Sequence, residues 1–274
     1  MAKTKVLITV KTYPTISSKY EELVCTAGFT ENGRWIRIYP IPFRKKSYSE
    51  QYKKYDWIEL NLVKNKSDFR PESYRPYSFD DEILIVKNID TKNNWAERKS
   101  IVLKKVYENL TELISEAHDK AICTSLATFK PAKILDFTIE KTEREWDKTK
   151  IAKLETEQKQ GNLFKQPENP FEVVQKLPYK FSYVFEDNAG TQSKLMIEDW
   201  EIGQLFWNCL AKYEGNEQKA CEDVRKKYFD DFAQTKDLHF FLGTSQIHHY
   251  ISKNPFMIIG VFYPKKEQAQ QTLF

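Results

Sequence analysis

The stretch from Trp35 to Ile41 constrains this chain most, because its side chains alternate in character. Trp35, Arg37, Tyr39 and Ile41 fall on one side of an extended backbone, and Ile36, Ile38 and Pro40 on the other. That is the two-residue period of a strand. Pro40 and Pro42 then end it, since neither can donate to a ladder. Glu31-Asn32-Gly33 ahead of it reads as a hairpin turn, which makes the run from Glu22 to Phe29 its partner strand. The loop that follows is basic and aromatic: between Arg34 and Lys54 the only acid is Glu50. Cations interleaved with rings suit a polyanion that carries bases. The expected nucleic-acid contacts are Arg37, Tyr39, Arg44, Lys45, Lys46, Lys53 and Lys54.

Further along, Val6–Val10, Trp57–Val63 and Ile83–Val86 read as strands, and a turn of helix is expected near Ser17. Ser100 to Asp119 switches to helical spacing, and the segment from Pro131 reads as a strand closing the first unit. Lys141 to Lys176 is rich in Lys, Glu, Gln and Asn, as expected of a charged arm. Tyr179–Glu186 and Lys194–Ile197 form a hairpin. Two helices follow, one capped by Asp199 and one from Glu217 to Phe232, and then two apolar strands, Leu238–Leu242 and Phe256–Phe262. The fold class is therefore α+β. The expected organisation is a mainly antiparallel, β-rich unit over 1–140, a charged linker over 141–176, an α+β unit over 177–264 that completes the same sheet, and an exposed tail over 265–274.

The charge is uneven. The first 100 residues hold 19 Lys and Arg against 13 Asp and Glu, more than the whole chain's net +4. Eight glycines among 274 residues argue against a glycine-rich nucleotide-binding fold, and no cofactor is expected. Cys25, Cys123, Cys209 and Cys221 are scattered without a Cys-x-x-Cys pair, as in a cytoplasmic protein with free thiols. No segment is apolar enough for a membrane span, so no membrane partner is expected.

Three clusters are candidates for chemistry. Glu198, Asp199 and Glu201 stand at a strand-to-helix junction, where paired acids would hold Mg²⁺ for phosphodiester cleavage; the competing role for Asp199 is helix capping. His248 and His249 lie in a loop between two apolar strands, but sequence neighbours point apart, so no metal site is assigned. Cys25, within an apolar strand, reads as core. Whether the chain is an enzyme stays open, and a Mg-dependent nuclease is the alternative to a binding protein.

Two resemblances add to this. Gln160-Gly161-Asn162-Leu163-Phe164 and Gln270-Gln271-Thr272-Leu273-Phe274 resemble the peptides by which bacterial replication, repair and mobile-element proteins dock on the DNA sliding clamp. The resemblance implies that Gln160 and Gln270 bond at the groove rim while Leu163, Phe164, Leu273 and Phe274 fill its pocket. Lys11-Thr12-Tyr13-Pro14, Trp35–Arg44, Glu198-Asp199-Trp200-Glu201 and Phe241-Leu242-Gly243-Thr244 resemble a family of uncharacterised prokaryotic proteins, which brings no activity with it. The β-rich layout is distantly similar to small barrels of the PUA and ASCH kind, which read RNA or modified bases. The expectation is a DNA-associated accessory protein that binds DNA or RNA and is recruited by the clamp.

Overall fold

Strands β1 (Thr4–Lys11), β2 (Thr15–Ser17), β3 (Glu21–Thr30), β4 (Trp35–Ile41), β5 (Asp56–Leu60), β6 (Leu62–Lys64), β7 (Ser73–Pro76) and β8 (Leu84–Asn88) form one curled sheet in a computed structural model. The residues described are 3–17, 21–149, 151–152 and 174–267. The strand order is β6-β7-β4-β3-β1-β5-β8, with β2 added to β3. All pairings are antiparallel except β4 with β7. Gly33 makes the β3–β4 turn at φ +78, a left-handed conformation that glycine adopts without a Cβ clash.

Helix α1 (Lys92–Val102) leads to β9 (Val106–Tyr107), α2 (Leu110–His118), β10 (Leu126–Phe129) and β11 (Lys133–Lys141). The continuous helix expected over Ser100–Asp119 is thus broken by a short strand. Asn109 caps the second piece, its side chain accepting from the Glu112 amide at 3.2 Å. After the charged arm come β12 (Tyr179–Glu186), β13 (Gln192–Met196), α3 (Trp200–Lys212) and α4 (Glu217–Arg225), which runs on as a π-helical stretch, Lys226–Ala233. The last strands are β14 (His239–Thr244) and β15 (Phe256–Phe262).

The later strands make two further sheets, β15-β14-β10-β9 and β11-β12-β13. Strands β10 and β11, expected with the first unit, therefore pair with β14 and β12, and β9 joins the sheet of β14 through β10. Thr15–Ser17 is β2, the turn of helix expected after it through Tyr20 lies outside the described residues, and Trp57–Val63 is split at Asn61 into β5 and β6.

Both faces of the first sheet are covered. Val6, Ile8, Ile36, Ile38 and Ile58 pack inside its curl. Leu7, Val10, Ala27 and Phe29 pack outward onto Phe241, Ile259 and Phe262 of β14 and β15. Burying a side chain of this kind stabilises by about 1.5–3 kcal/mol, so the seam joins both halves into one body. The carboxy-terminal strands cover the first sheet rather than extend it. A second seam runs along the chain: Thr12 bridges Asp199 and Ile197 bridges Ile258, while the Tyr13 amide donates to the Glu198 carbonyl at 3.1 Å. This sets the end of β1 against the start of α3.

Candidate functional site

The alternation of β4 puts Arg37 and Tyr39 on the face turned toward β14 and β15. There a cavity of about 390 Å³ opens, lined by Thr12, Cys25, Arg37, Tyr39, Arg70, Glu198, Thr244, Met257 and Ile259, with Thr15 and Gln246 also on its wall. All four sequence blocks meet in it: Thr12 from the first, Arg37 and Tyr39 from the second, Glu198 from the third, Gly243 and Thr244 from the fourth. A larger hollow of about 630 Å³, lined by Trp146, Val174, Trp207 and Leu210 among others, gathers none of them.

Two buried guanidinium groups form part of the cavity wall. Arg37 is 2% exposed; its Nη1 donates to Ser125 Oγ at 2.8 Å and its Nη2 to the Ser125 carbonyl at 3.2 Å and the Thr244 carbonyl at 3.4 Å. Arg70 donates to the same Thr244 carbonyl and grips Asp68 through Nε at 2.8 Å and Nη2 at 2.5 Å. Burial pushes the Asp68 carboxyl up, but hydrogen bonds from Arg70 and Ser73 overcome this and hold it at about 2. Glu72 lies 4.0 Å from Arg37 Nη1 and accepts from Ser125 Oγ. Asp68 and Glu72 thus balance the two arginines. Burial and the neighbouring Arg70 lower the Arg37 pKa, but an arginine stays protonated.

Glu198 is a further residue of the cavity wall. Among the described residues it has no hydrogen-bond partner for its side chain, and burial raises its pKa against the pull of Lys180. The polar lining is therefore balanced rather than cationic. With Met257, Ile259 and the Tyr39 ring as apolar wall, it suits a flat, neutral, hydrogen-bonding group better than a phosphate.

The basic loop is placed otherwise than the sequence suggested. Phe43–Lys45 and Tyr48–Glu50 are short 3₁₀ turns, with Phe43 and Tyr52 buried and Tyr48 exposed. Lys46 donates to the Asp81 carbonyl at 2.8 Å and pairs with Glu50 at 3.4 Å. Lys54 is buried against Asp199 and Glu201. Arg37 is buried, Tyr39 and Arg44 are half-buried, and Lys53 is exposed. Arg37, Lys46 and Lys54 are thus met by the protein's own hydroxyl, acid and carbonyl groups and add little to a cationic surface, while the Lys45 side chain lies outside the described residues. Sequence alone hid this, because the Asp199 partner lies 145 positions downstream of Lys54.

The three acids of the nuclease alternative are separated by role. Asp199 Oδ1 accepts from the Glu201 amide at 3.3 Å and caps α3. Its two oxygens also take the Lys54 ammonium at 2.9 and 2.8 Å, while Glu201 holds the same ammonium at 2.9 Å. Glu198 lines the cavity. Among the described residues no group of three His, Cys, Asp or Glu side chains is gathered to hold a metal, and the capping role weighed for Asp199 is the one its geometry shows. Cys25, read as core, is half-buried and lines the cavity. His249, by contrast, is fully buried and bonds Thr244. The peptide residues Gln160, Leu163, Phe164, Gln270, Leu273 and Phe274 lie outside the described residues.

Fold and cavity define an α+β protein whose two β-rich halves jointly wall one charge-balanced pocket. Residues 106–274 match the family model described as "Domain of unknown function (DUF8757)", and residues 2–104 match "Domain of unknown function (DUF8758)". The first match spans more than half of the chain, so the chain belongs to the DUF8757 family. The cavity draws on residues from both matched segments. No curated protein matches the chain. Among solved structures it is similar to a murine DNA-binding protein bound with double-stranded DNA, at 11% identity over 98% of each chain and a TM-score of 0.32. No described helix is long and apolar enough to cross a membrane.

Proposed function

We propose that the protein binds nucleic acid and holds one unstacked base in the cavity between its two β halves. The observation that carries this is the convergence of all four sequence blocks on a single pocket whose charges cancel. A phosphate would need a net positive site, whereas Asp68 and Glu72 offset Arg70 and Arg37. A nucleobase is flat and neutral, and its edge carries both donors and acceptors. Tyr39 supplies a ring, and Glu198 an acceptor for an exocyclic amine. Lys53 and the exposed Lys66, beside the Ser67 carbonyl that accepts from Gln246 at 2.6 Å, are available to phosphates outside the pocket.

The test is fluorescence anisotropy at low salt with labelled single-stranded DNA, single-stranded RNA and duplex, comparing the intact chain with Thr15→Trp. Thr15 is exposed on an edge strand and lines the cavity, so the indole plugs the pocket with little cost to the fold. Binding that Thr15→Trp abolishes supports the reading. Failure of every nucleic acid to bind, or binding that the plug leaves untouched, overturns it.

Recruitment to a sliding clamp belongs to the same proposal and rests on the two Gln-x-x-Leu-Phe peptides. A pull-down with purified clamp should fail once Leu163, Phe164, Leu273 and Phe274 are all changed to alanine; clamp retention by that variant rules out this mode of recruitment.

A further inference from the structure

The loop carrying His248 and His249 and the turn after α2 bring together a second set of reactive groups. We propose that Cys123 is a reactive thiol, activated by His249 as general base, which a hydroperoxide oxidises to the sulfenic acid. The inference does not depend on nucleic-acid binding.

Cys123 Sγ lies 3.5 Å from His249 Nε2. The other ring nitrogen, Nδ1, is 2.7 Å from Thr244 Oγ1, which holds the imidazole in place. Nucleophile, base and orienting hydroxyl thus stand in the order that nucleophilic sites use. The Tyr250 hydroxyl donates to the same sulfur at 3.3 Å and would stabilise a thiolate. Cys123 is held at φ +53, and its amide donates to the Asp119 carbonyl at 2.7 Å. A left-handed conformation costs a non-glycine residue roughly 1 kcal/mol, and here it presents the thiol to His249. Burial, with the nearby Arg70 and Arg37, lowers the His249 pKa against a hydrogen bond to the Ala117 backbone and the attraction of Glu72, which favours the neutral ring. Cys123 is among the residues lining a cavity of about 230 Å³ with Trp35, Tyr107 and Ile122, room enough for a small peroxide.

The step balances. His249 Nε2 takes the thiol proton, and the thiolate attacks one peroxide oxygen, forming S–O as the O–O bond breaks. The departing hydroxide or alkoxide recovers the proton from the imidazolium and leaves as water or alcohol. Sulfur is oxidised and the peroxide reduced, with no further reagent.

Exposure alone would not single out Cys123, which is 5% exposed against 6% for Cys209 and 9% for Cys221. Burial also raises the pKa of Cys209 and takes that of Cys221 to about 11, and neither has an imidazole partner. The full chain is treated with hydrogen peroxide and dimedone, and the adducts are located by peptide mass spectrometry over time. Cys123 should be labelled roughly tenfold faster than Cys209 or Cys221, and His249→Asn should remove most of that advantage. Tyr250→Phe, which keeps the imidazole, should slow labelling severalfold and serves if His249→Asn fails to fold. Labelling of Cys123 no faster than of Cys209 and Cys221, labelling confined to Cys25, or an unchanged rate in folded His249→Asn or Tyr250→Phe overturns the proposal.

Discussion

Lys54 and Asp199 neutralise one another in the interior: the ammonium is 2.9 Å from one carboxylate oxygen and 2.8 Å from the other, with side-chain exposures of 7% and 0%. One contact thereby withdraws a cation from the expected nucleic-acid surface and an acid from the expected metal site. It also locks the loop before β5 to the start of α3. Burial disfavours both charges, but the carboxylates of Asp199 and Glu201 prevail and raise the Lys54 pKa.

Breaking this pair from one side should be costly, because the remaining charge is left buried. Lys54→Met and Asp199→Leu are each expected to lose about 3–5 kcal/mol, with Asp199→Leu also losing the α3 cap, worth about 1 kcal/mol. Combining the two leaves no orphaned carboxylate at position 199, so the double variant should be markedly more stable than the sum of the single losses predicts. Urea titration of the four proteins measures this. Strict additivity would show that the two groups do not interact.

Lys11 provides a test on the alkaline side. Its ammonium donates to the Tyr52 carbonyl at 3.2 Å and lies 4.4 Å from the centre of the Phe43 ring and 5.3 Å from that of Trp200. Burial, followed by repulsion from Lys54, lowers its pKa from 10.5 to about 8. Between those values the unfolded chain binds a proton that the folded chain lacks, so this group's contribution makes stability rise with pH. Below about 8 the penalty for burying the charge is present in full. Lys11→Met removes the titration, so the melting temperature of the variant minus that of the parent should fall from pH 7 to pH 10. A constant difference across that range contradicts the assignment.

Gly203 sets two effects of opposite sign against each other. Alanine is favoured over glycine inside a helix by about 1 kcal/mol, which would make Gly203→Ala stabilising. A Cβ there, however, would stand 2.3 Å from a Tyr13 ring carbon. That ring is pinned, since its hydroxyl accepts from Trp207 Nε1 at 2.8 Å and donates to the Gln175 carbonyl at 2.7 Å. The clash should win by about 1–3 kcal/mol. In a Tyr13→Ala background the sign should reverse, and Gly203→Ala should then raise the melting temperature. A substitution that stabilises the parent as well would show that the ring yields.

The two-residue period of β4 was legible in the sequence from Trp35 to Tyr39, though Ile41 packs with Ile36 and Ile38 rather than on the opposite face. So were the β3–β4 turn, the hairpin of β12 and β13 and the last two strands, because each is encoded by neighbours. The break between α1 and α2 was also written locally, in Asn109 followed three positions later by Glu112, a capping signal masked by the apolar stripe running across it. What could not be read is which distant groups meet. Arg37 finds Ser125 at a separation of 88 residues and Thr244 at 207. Cys123 finds His249 at a separation of 126. No period or propensity reports such contacts, so a basic loop looked solvated and a buried imidazole looked like part of a turn.

Glu198 is where the pocket can be made to disclose its ligand. The residue lines the cavity, and burial raises its pKa, so an occupant offering its carboxyl a hydrogen-bond donor would stabilise the ionised form. Cytosine, adenine and guanine present an exocyclic amine to such an acceptor, whereas uracil and thymine do not. Replacing the carboxylate by the neutral amide of Glu198→Gln weakens a charge-assisted bond without emptying the site. A correct base edge is worth about 1–3 kcal/mol of discrimination. Affinity for oligonucleotides carrying the preferred amine-bearing base should therefore drop by roughly five- to a hundredfold in Glu198→Gln, while oligo-dT binding through the backbone is unchanged and keeps its salt slope. Equal losses on both sequences would place Glu198 in the scaffold of the cavity rather than against the base.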